Sequence, residues 1–292
     1  MLTWFWSLMK PTASRRCSNM TNKPIVVFSD LDGTLLDHDT YSFEAALPAV
    51  KRLNQLGIPL ILNSSKTRPE MEAIQQQLNN VAPFIVENGA ALVVPVGCLG
   101  NKEEKVVYFA APVSDVLMQL ESLREEGFAF RGFQDMTVAE LAGLTGLTEQ
   151  QAALSRQRTA TEPLLWLGSN EALVEFEQRL QQGGLQLVKG GRFYHAMGQY
   201  DKADAMHYLL KQYQIRYSEK EVLSIALGDS PNDLNMLEAA DYAVVIRGVN
   251  SRQLKFTVGK MVIFSQGMGP VGWNGAMQPL LDQLTGRAPT ID

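Results

Sequence analysis

A short apolar run that ends in two acids one residue apart limits the fold of this chain more than any other feature. Residues 26–28 read as a buried strand, Asp30 and Asp32 stand at its end, and Gly33 and Thr34 turn the chain away. Because the chain is leaving the strand there, the two carboxylates can point in different directions. One can attack a phosphorus atom while the other moves protons, with a magnesium ion offsetting the charge. The alternative is an acidic turn without chemistry, so the rest of the chain must decide.

Length, charge and cysteine content restrict the class of protein. The 292 residues are enough for one large α/β domain or two modest ones. The net charge is −5 and there is no long basic run, so neither nucleic acid nor an anionic membrane is expected as the main partner. The only cysteines, Cys17 and Cys98, favour a reducing compartment, here the cytoplasm, over a disulfide framework or a zinc site.

The first residues are apolar but do not resemble a membrane span. The run from Met1 to Met9 is too short to cross a bilayer, and no small-residue cleavage site follows it. A weak interfacial anchor is one reading. We favour a poorly ordered extension over residues 1–22, or a start codon assigned ahead of Met20. We therefore expect the fold to begin near Lys23.

Apolar strand patterns alternate with helical ones, which predicts an α/β fold with a doubly wound, mostly parallel sheet. Residues 23–89 and 198–292 share this alternation of strands and helices and form the expected catalytic core. The sequence pattern changes over residues 90–197, where short strand and helix patterns predict a second α/β domain inserted into the first. Thr67 and Thr148 each precede a capping-box partner and are expected to open helices.

Four separated sites carry polar groups just past a strand or at the start of a helix. They are Asp30 with Asp32, Ser64 after an apolar run, Lys202 after the inserted segment, and the stretch over residues 228–233. The carboxyl ends of parallel strands meet at one crevice, where ligands bind. Each site alone has an ordinary explanation as a cap, a solvated cation or a turn. Their combination in this order is much rarer.

In this order, with a large insertion between the second and third, the four sites resemble the motifs of haloacid dehalogenase superfamily phosphatases. The resemblance covers all but the first twenty or so residues. Within the superfamily, further marks resemble the mannosyl-3-phosphoglycerate phosphatases. These marks are Ser64-Ser65-Lys66-Thr67, Arg131-Gly132-Phe133, Leu144-Thr145-Gly146-Leu147, Arg158 with Glu162-Pro163, and Gly269-Pro270 with Gly272-Trp273-Asn274.

The resemblance implies a role for each reactive residue. Asp30 is expected to be the nucleophile that carries the phosphoryl group. The Asp32 carboxyl is expected to act first as general acid for the leaving alkoxide and then as general base for water. Ser64 would donate a hydrogen bond to a phosphoryl oxygen, and Lys202 would neutralise the phosphate and the Asp30 carboxylate.

The same resemblance implies a magnesium site. Asp30 and Asp229 would bind the ion through their carboxylates and Asp32 through its backbone carbonyl. Asn232 and Asp233 would orient the metal ligands or their waters. Mg²⁺ is expected because the ligands are few, hard oxygens that leave room for water and a substrate oxygen.

Specificity is expected to reside in the inserted domain, since the core handles only the phosphate. The implied substrate carries a carboxylate and sugar hydroxyls, so a second cationic site is expected. Trp273 is either substrate-facing or a core anchor. The cationic candidates, left unranked, are Arg131, Arg156, Arg158, Lys189 and Arg192 in the insertion and Lys66 and Arg68 in the core.

We therefore expect a Mg²⁺-dependent phosphomonoesterase acting on a small phosphorylated sugar or glycerate, with mannosyl-3-phosphoglycerate preferred. A general sugar-phosphate phosphatase and a phosphomannomutase-like phosphotransferase are the enzymatic alternatives. A phosphoester-binding module without turnover is the non-enzymatic one. The sequence leaves the oligomeric state undefined.

Overall fold

A computed structural model describes residues 23–190, 193–257 and 259–286, and the extension predicted over residues 1–22 lies outside them. In this part of the chain the strands form two separate sheets. The strands are β1 Ile25–Ser29, β2 Leu60–Asn63, β3 Phe84–Val86, β4 Ala91–Val94, β5 Lys105–Tyr108, β6 Phe130–Gly132, β7 Thr161–Trp166, β8 Leu185–Gly190, β9 Phe193–Gly198, β10 Leu223–Gly228, β11 Tyr242–Arg247 and β12 Val262–Met268.

The larger sheet has eight strands in the order β12-β11-β10-β1-β2-β3-β4-β5. Neighbours from β12 to β3 are parallel, whereas β4 and β5 are antiparallel. The strands at its centre are fully buried apolar runs, as expected for a sheet covered on both faces. The predicted fold class, a doubly wound and mostly parallel α/β sheet, is confirmed.

Helices cover both faces of the larger sheet. One face packs against α1 (Leu47–Leu56), α2 (Arg68–Gln77) and α9 (Gly269–Thr285), and the other against α7 (Lys202–Arg216) and α8 (Leu234–Ala239). Among the described residues, no helix is both long and apolar enough to cross a membrane. The α-helices are α1 Leu47–Leu56, α2 Arg68–Gln77, α3 Val113–Glu125, α4 Val138–Thr145, α5 Glu149–Ser155, α6 Asn170–Gln182, α7 Lys202–Arg216, α8 Leu234–Ala239 and α9 Gly269–Thr285.

Two strands after β3 belong to the larger sheet and bear on where the insertion starts. The boundary predicted at residue 90 assigned β4 and β5 to the inserted domain, but β4 pairs with β3 and β5 pairs with β4, so both strands extend the larger sheet. A short apolar strand does not encode which sheet it joins, so sequence pattern cannot place this boundary. We propose that the insertion covers residues 110–197.

The smaller sheet belongs to that insertion and has the antiparallel order β6-β7-β9-β8. Its outer face packs on α3 and α6 around Leu120, Phe176 and Leu164, which are at most 2% exposed. A second small core under α4 and α5 centres on Leu141 and Ala152. The inserted unit thus has an apolar core of its own.

Local sequence signals position several helices correctly. Both predicted capping boxes are present, with Thr67 capping α2 and Thr148 capping α5. The last helix, α9, begins at Gly269 and ends at Thr285. Trp273 therefore lies inside α9, fully buried, with its Nε1 donating to the Ser29 hydroxyl at 2.9 Å. It is a core anchor.

The turn over residues 87–89, directly after β3, connects the core, which contains the larger sheet, to the insertion, which contains the smaller one. The buried Glu87 carboxylate accepts hydrogen bonds from the backbone and hydroxyl groups of residues 159–161, at 2.7–3.1 Å. The turn also bonds the loop over residues 64–66, since Glu87 N donates to Lys66 O and Asn88 N to Ser64 O. One turn thereby fixes the insertion and a core loop together.

Gly89 in this turn has no room for a side chain. Its φ is +103°, and a Cβ there would lie 2.0 Å from the Asp201 carbonyl oxygen. We predict that Gly89→Ala lowers the free energy of unfolding by about 2–5 kcal/mol, because backbone strain and overlap add. Urea denaturation measures this loss.

Gly57→Ala is the matched control. Gly57 also has a positive φ, +66°, but nothing lies within 4 Å of its added Cβ. Its substitution is expected to cost only about 1 kcal/mol. Equal losses for the two variants would show that the contact at Asp201 does not matter.

Candidate active site

The polar groups after three neighbouring strands meet at one edge of the larger sheet. Strands β10, β1 and β2 are adjacent, and Asp229, Asp30 and Ser64 follow them directly. All three side chains are buried, with exposed fractions of 7%, 6% and 1%. The structure therefore brings these predicted site residues to the crevice at the carboxyl ends of the strands.

Lys202 lies at the centre of this cluster. It is the first residue of α7, and its side chain is only 1% exposed. Nζ donates to Asp30 Oδ1 at 2.6 Å and to Asp233 Oδ1 at 2.7 Å. Burial disfavours the ammonium, but the two carboxylates more than offset this and raise the pKa of Lys202.

The acids outnumber the cation that they share. One carboxylate oxygen each from Asp30, Asp229 and Asp233 lies within 4.8 Å of the others. Burial, followed by repulsion from Asp233, raises the pKa of Asp30 to about 7 despite Lys202. Burial, Asp30 and Asp233 likewise raise the pKa of Asp229 to about 8. Such a cluster of hard oxygens with unbalanced negative charge fits a divalent cation.

The residues predicted to orient the site are held by local hydrogen bonds. The Asp233 Oδ2 atom accepts from the backbone N–H groups of Asp229 and Ser230, both at 3.1 Å, while Oδ1 meets Lys202. Asn232 accepts from the Ser230 hydroxyl and donates to Asn88 Oδ1 at 3.4 Å. The loop that carries Asp229 is thereby fixed against the helix start at Lys202.

The Asp32 carboxyl occupies a different position from the other acids. It is not part of the three-acid cluster, and 36% of its side chain is exposed. Its Oδ1 atom lies 2.9 Å from Lys66 Nζ, which is also 5.3 Å from the centre of the Tyr41 ring. Asp30 and Asp32 thus face different partners, as expected for two acids at the point where the chain leaves β1.

Several supporting residues were missed by the sequence analysis. Thr34 Oγ1 donates to Asp229 Oδ1 at 3.2 Å, and Asn63 Nδ2 donates to the Lys202 carbonyl at 3.0 Å. Asn63 is fully buried at the end of β2, one residue before Ser64. The signal that could have identified Asn63 is its position, since it is a polar residue at the end of an apolar strand and directly precedes Ser64. Nothing in the sequence pairs Lys66 with Asp32.

The cationic candidates for substrate recognition differ in their surroundings. Lys66 pairs with Asp32, and Arg192 lies outside the described residues. Lys189 lines a cavity next to Lys202. The remaining four bond to other protein groups: Arg68 to Glu72 and Glu104, Arg131 to Glu140, Arg156 to the Gln134 carbonyl, and Arg158 to the Ser65 carbonyl.

Comparison with known proteins identifies the family of the chain. A family model described as haloacid dehalogenase-like hydrolase matches residues 27–135 and 154–255. In structure, a phosphatase of the haloalkanoate (HAD) enzyme superfamily from Bacteroides thetaiotaomicron has a TM-score of 0.63 at 20% identity, over 94% of this chain and 99% of that one. That likeness concerns the fold.

Two curated relatives are much closer in sequence. Both are named glucosyl-3-phosphoglycerate/mannosyl-3-phosphoglycerate phosphatase. The protein from Persephonella marina is 35% identical over 89% of this chain and 98% of its own length. The one from Methanococcoides burtonii is 36% identical over 88% and 97%. The chain therefore belongs to the haloacid dehalogenase-like hydrolase family, and it is one of the family's phosphatases.

Proposed function

We propose that the protein is a Mg²⁺-dependent phosphomonoesterase that works through an aspartyl-phosphate on Asp30. One observation carries the proposal: the oxygens of Asp30, Asp229 and Asp233 converge within 4.8 Å beside the buried Lys202 ammonium. This arrangement holds a reactive carboxylate next to positive charge, where a phosphate dianion can approach. The Asp30 and Asp229 carboxylates and the Asp32 carbonyl are the proposed metal ligands.

In the first step an Asp30 carboxylate oxygen attacks phosphorus. The bond from phosphorus to the leaving oxygen breaks, and the Asp32 carboxylic acid gives its proton to that oxygen. Lys202 keeps one Asp30 oxygen fixed at 2.6 Å, which orients the nucleophile. Bound Mg²⁺ would supply electrostatic stabilisation to the transferring phosphoryl oxygens.

In the second step water attacks the phosphorylated Asp30. The Asp32 carboxylate takes a proton from the water, the bond from phosphorus to the Asp30 oxygen breaks, and inorganic phosphate leaves. The position of Asp32 supports this exchange, since its carboxyl is partly exposed and outside the three-acid cluster. Ser64 would donate to a phosphoryl oxygen, and Asn232 and Asp233 would hold the metal side of the site in place.

The preferred substrate is mannosyl-3-phosphoglycerate, giving mannosylglycerate and phosphate. The two curated relatives are named for it and for its glucosyl analogue, and each match spans nearly the whole relative. Among the cationic candidates, Lys189 is the one we assign to the substrate carboxylate, because it lines the cavity that reaches Lys202. The low cysteine count supports a cytoplasmic location.

Two related activities remain as alternatives. A general sugar-phosphate phosphatase would hydrolyse many sugar phosphates with similar kcat/KM. A phosphomannomutase-like enzyme would return the phosphoryl group to a sugar instead of passing it to water. Product analysis separates them, since a mutase releases isomerised sugar phosphate and little inorganic phosphate.

The first prediction concerns the nucleophile. Asp30→Asn should reduce phosphate release by at least about 10³-fold on every member of a phosphorylated-metabolite panel that includes mannosyl-3-phosphoglycerate, because an amide cannot form the intermediate. The fold should persist, as judged by circular dichroism. The exposed Asp39, changed to Asn, is the matched control and should retain activity. Residual activity of the Asp30 variant within tenfold of wild type would contradict the mechanism.

The second prediction concerns the metal. Chelation should abolish phosphate release, and added Mg²⁺ should restore it. Mg²⁺ at about 100 times its Kd should also stabilise the folded protein by roughly 2.7 kcal/mol, seen as a higher Tm. Asp229→Asn should lose most of this rise, whereas Asp39→Asn keeps it. Full activity after exhaustive chelation would rule the proposed ion out.

A further inference from the structure

An ion pair with Lys66 covers one oxygen of the Asp32 carboxyl. Lys66 Nζ lies 2.9 Å from Asp32 Oδ1, and the Lys66 side chain is only 11% exposed. Oδ1 itself is buried, although 36% of the Asp32 side chain is exposed. The ion pair therefore occupies Oδ1 and leaves Oδ2 as the oxygen that can exchange a proton.

Lys66 is held in place by groups other than Asp32. Its ammonium lies 5.3 Å from the centre of the Tyr41 ring. Its carbonyl accepts from Glu87 N at 3.0 Å, and its own N–H donates to Ser64 Oγ at 3.3 Å. The fold thus sets the position of this lysine, and the lysine in turn can set the position of a carboxyl that contacts it.

The surroundings of Lys66 distinguish it from a substrate-binding cation and from a surface ion pair. A cation that receives a substrate carboxylate needs an accessible ammonium, whereas this one is already paired and largely buried. Ion pairs between exposed side chains contribute little to stability or geometry. The contact instead resembles that of Lys202, which fixes the proposed nucleophile Asp30 at 2.6 Å. Each of the two reacting carboxyls thus has a lysine of its own.

We propose that Lys66 is a positioning residue for the proton transfers of Asp32, because it fixes Oδ1 and keeps Oδ2 directed at the leaving group and then at water. The inference rests on the proposed phosphatase activity. An ammonium can donate both to a carboxylate oxygen and to the carbonyl oxygen of a carboxylic acid. The contact can therefore persist while Oδ2 loses a proton in the first step and gains one in the second.

The first test compares phenyl phosphate with p-nitrophenyl phosphate in the full-length enzyme with Mg²⁺. Neither ester has a carboxylate, and phenolate needs a proton from Asp32 more than nitrophenolate, which is a weaker base. The readout is the ratio of kcat/KM for phenyl phosphate to kcat/KM for p-nitrophenyl phosphate. We predict that Lys66→Met lowers this ratio about tenfold, a part of the roughly 10²–10⁴-fold that general acid catalysis contributes. Equal losses on the two esters would overturn the inference.

Lys23→Met is the matched control. Lys23 precedes β1, at the opposite end of the strand from Asp30, and pairs with Glu221 at 2.6 Å. Its substitution also removes a paired lysine, but it should leave the ratio unchanged. Methionine keeps the aliphatic stem of Lys66, and Asp32 is partly exposed, so the fold should persist. If circular dichroism shows that it does not, Lys66→Gln takes the place of Lys66→Met under the same criteria.

A double-mutant cycle tests whether Lys66 acts through Asp32. The readout is the rate of phenol release in a single turnover, which does not need the second step. Asp32→Asn removes the proton donor, so adding Lys66→Met to it should lower this rate less than about twofold, against about tenfold in wild type. Equal losses in the two backgrounds would show that Lys66 acts independently of Asp32 and would overturn the inference.

Failure of the proposed function looks different. If wild type releases phosphate from no ester, the proposed function fails and the inference with it. If wild type hydrolyses mannosyl-3-phosphoglycerate but neither aryl ester, the same cycle is measured on mannosyl-3-phosphoglycerate. There, a loss that persists in the Asp32→Asn background, or a higher KM with unchanged kcat, would show that Lys66 binds the substrate. The inference would then be wrong while the phosphatase stands.

Discussion

The buried Lys202 ammonium is the interaction on which the site depends. It bonds Asp30 after β1 and Asp233 after β10, so it joins the ends of two central strands to the start of α7. Removing this ammonium would leave three buried carboxylates without a cation. Burying unpaired charges strongly destabilises a folded protein. Even with it, the pKa values of Asp30 and Asp229 are raised. A divalent cation bound among the three acids would offset this negative charge.

A second constraint fixes how the insertion sits on the core. Glu87 is fully buried and its carboxylate accepts from three consecutive residues of the insertion, 159–161. Nearby, Arg158 donates to the Ser65 carbonyl and Thr67 to that of Leu154. These bonds all converge on the loop that contains Ser64. The position of the insertion and the position of the loop that contains Ser64 therefore depend on the same group of hydrogen bonds.

The sequence predicted the site residues that a local pattern in the chain marks. Asp30, Ser64 and Asp229 follow apolar strands, and topology then brings them together, so their proximity follows from strand order. The supporting contacts were not predictable in this way. Lys66 meets Asp32, and Glu87 meets residues 159–161, across distances in sequence that no local pattern encodes. The sequence could not place β4 and β5 in the larger sheet for the same reason, because short apolar strands look alike in either sheet.

The two halves of the crevice differ in the kind of polarity that they offer. Around Asp30 the groups are charged, and they suit a phosphate and a metal ion whatever ester carries them. In the cavity beyond Lys202 most polar groups are neutral amides, which discriminate by hydrogen-bond geometry. A charged centre accounts for the match to a broad hydrolase family, since many substrates share the phosphate. Most residues that line this cavity, such as Gln186 and Gln253, lie outside the four motifs, so the motifs do not determine its chemistry.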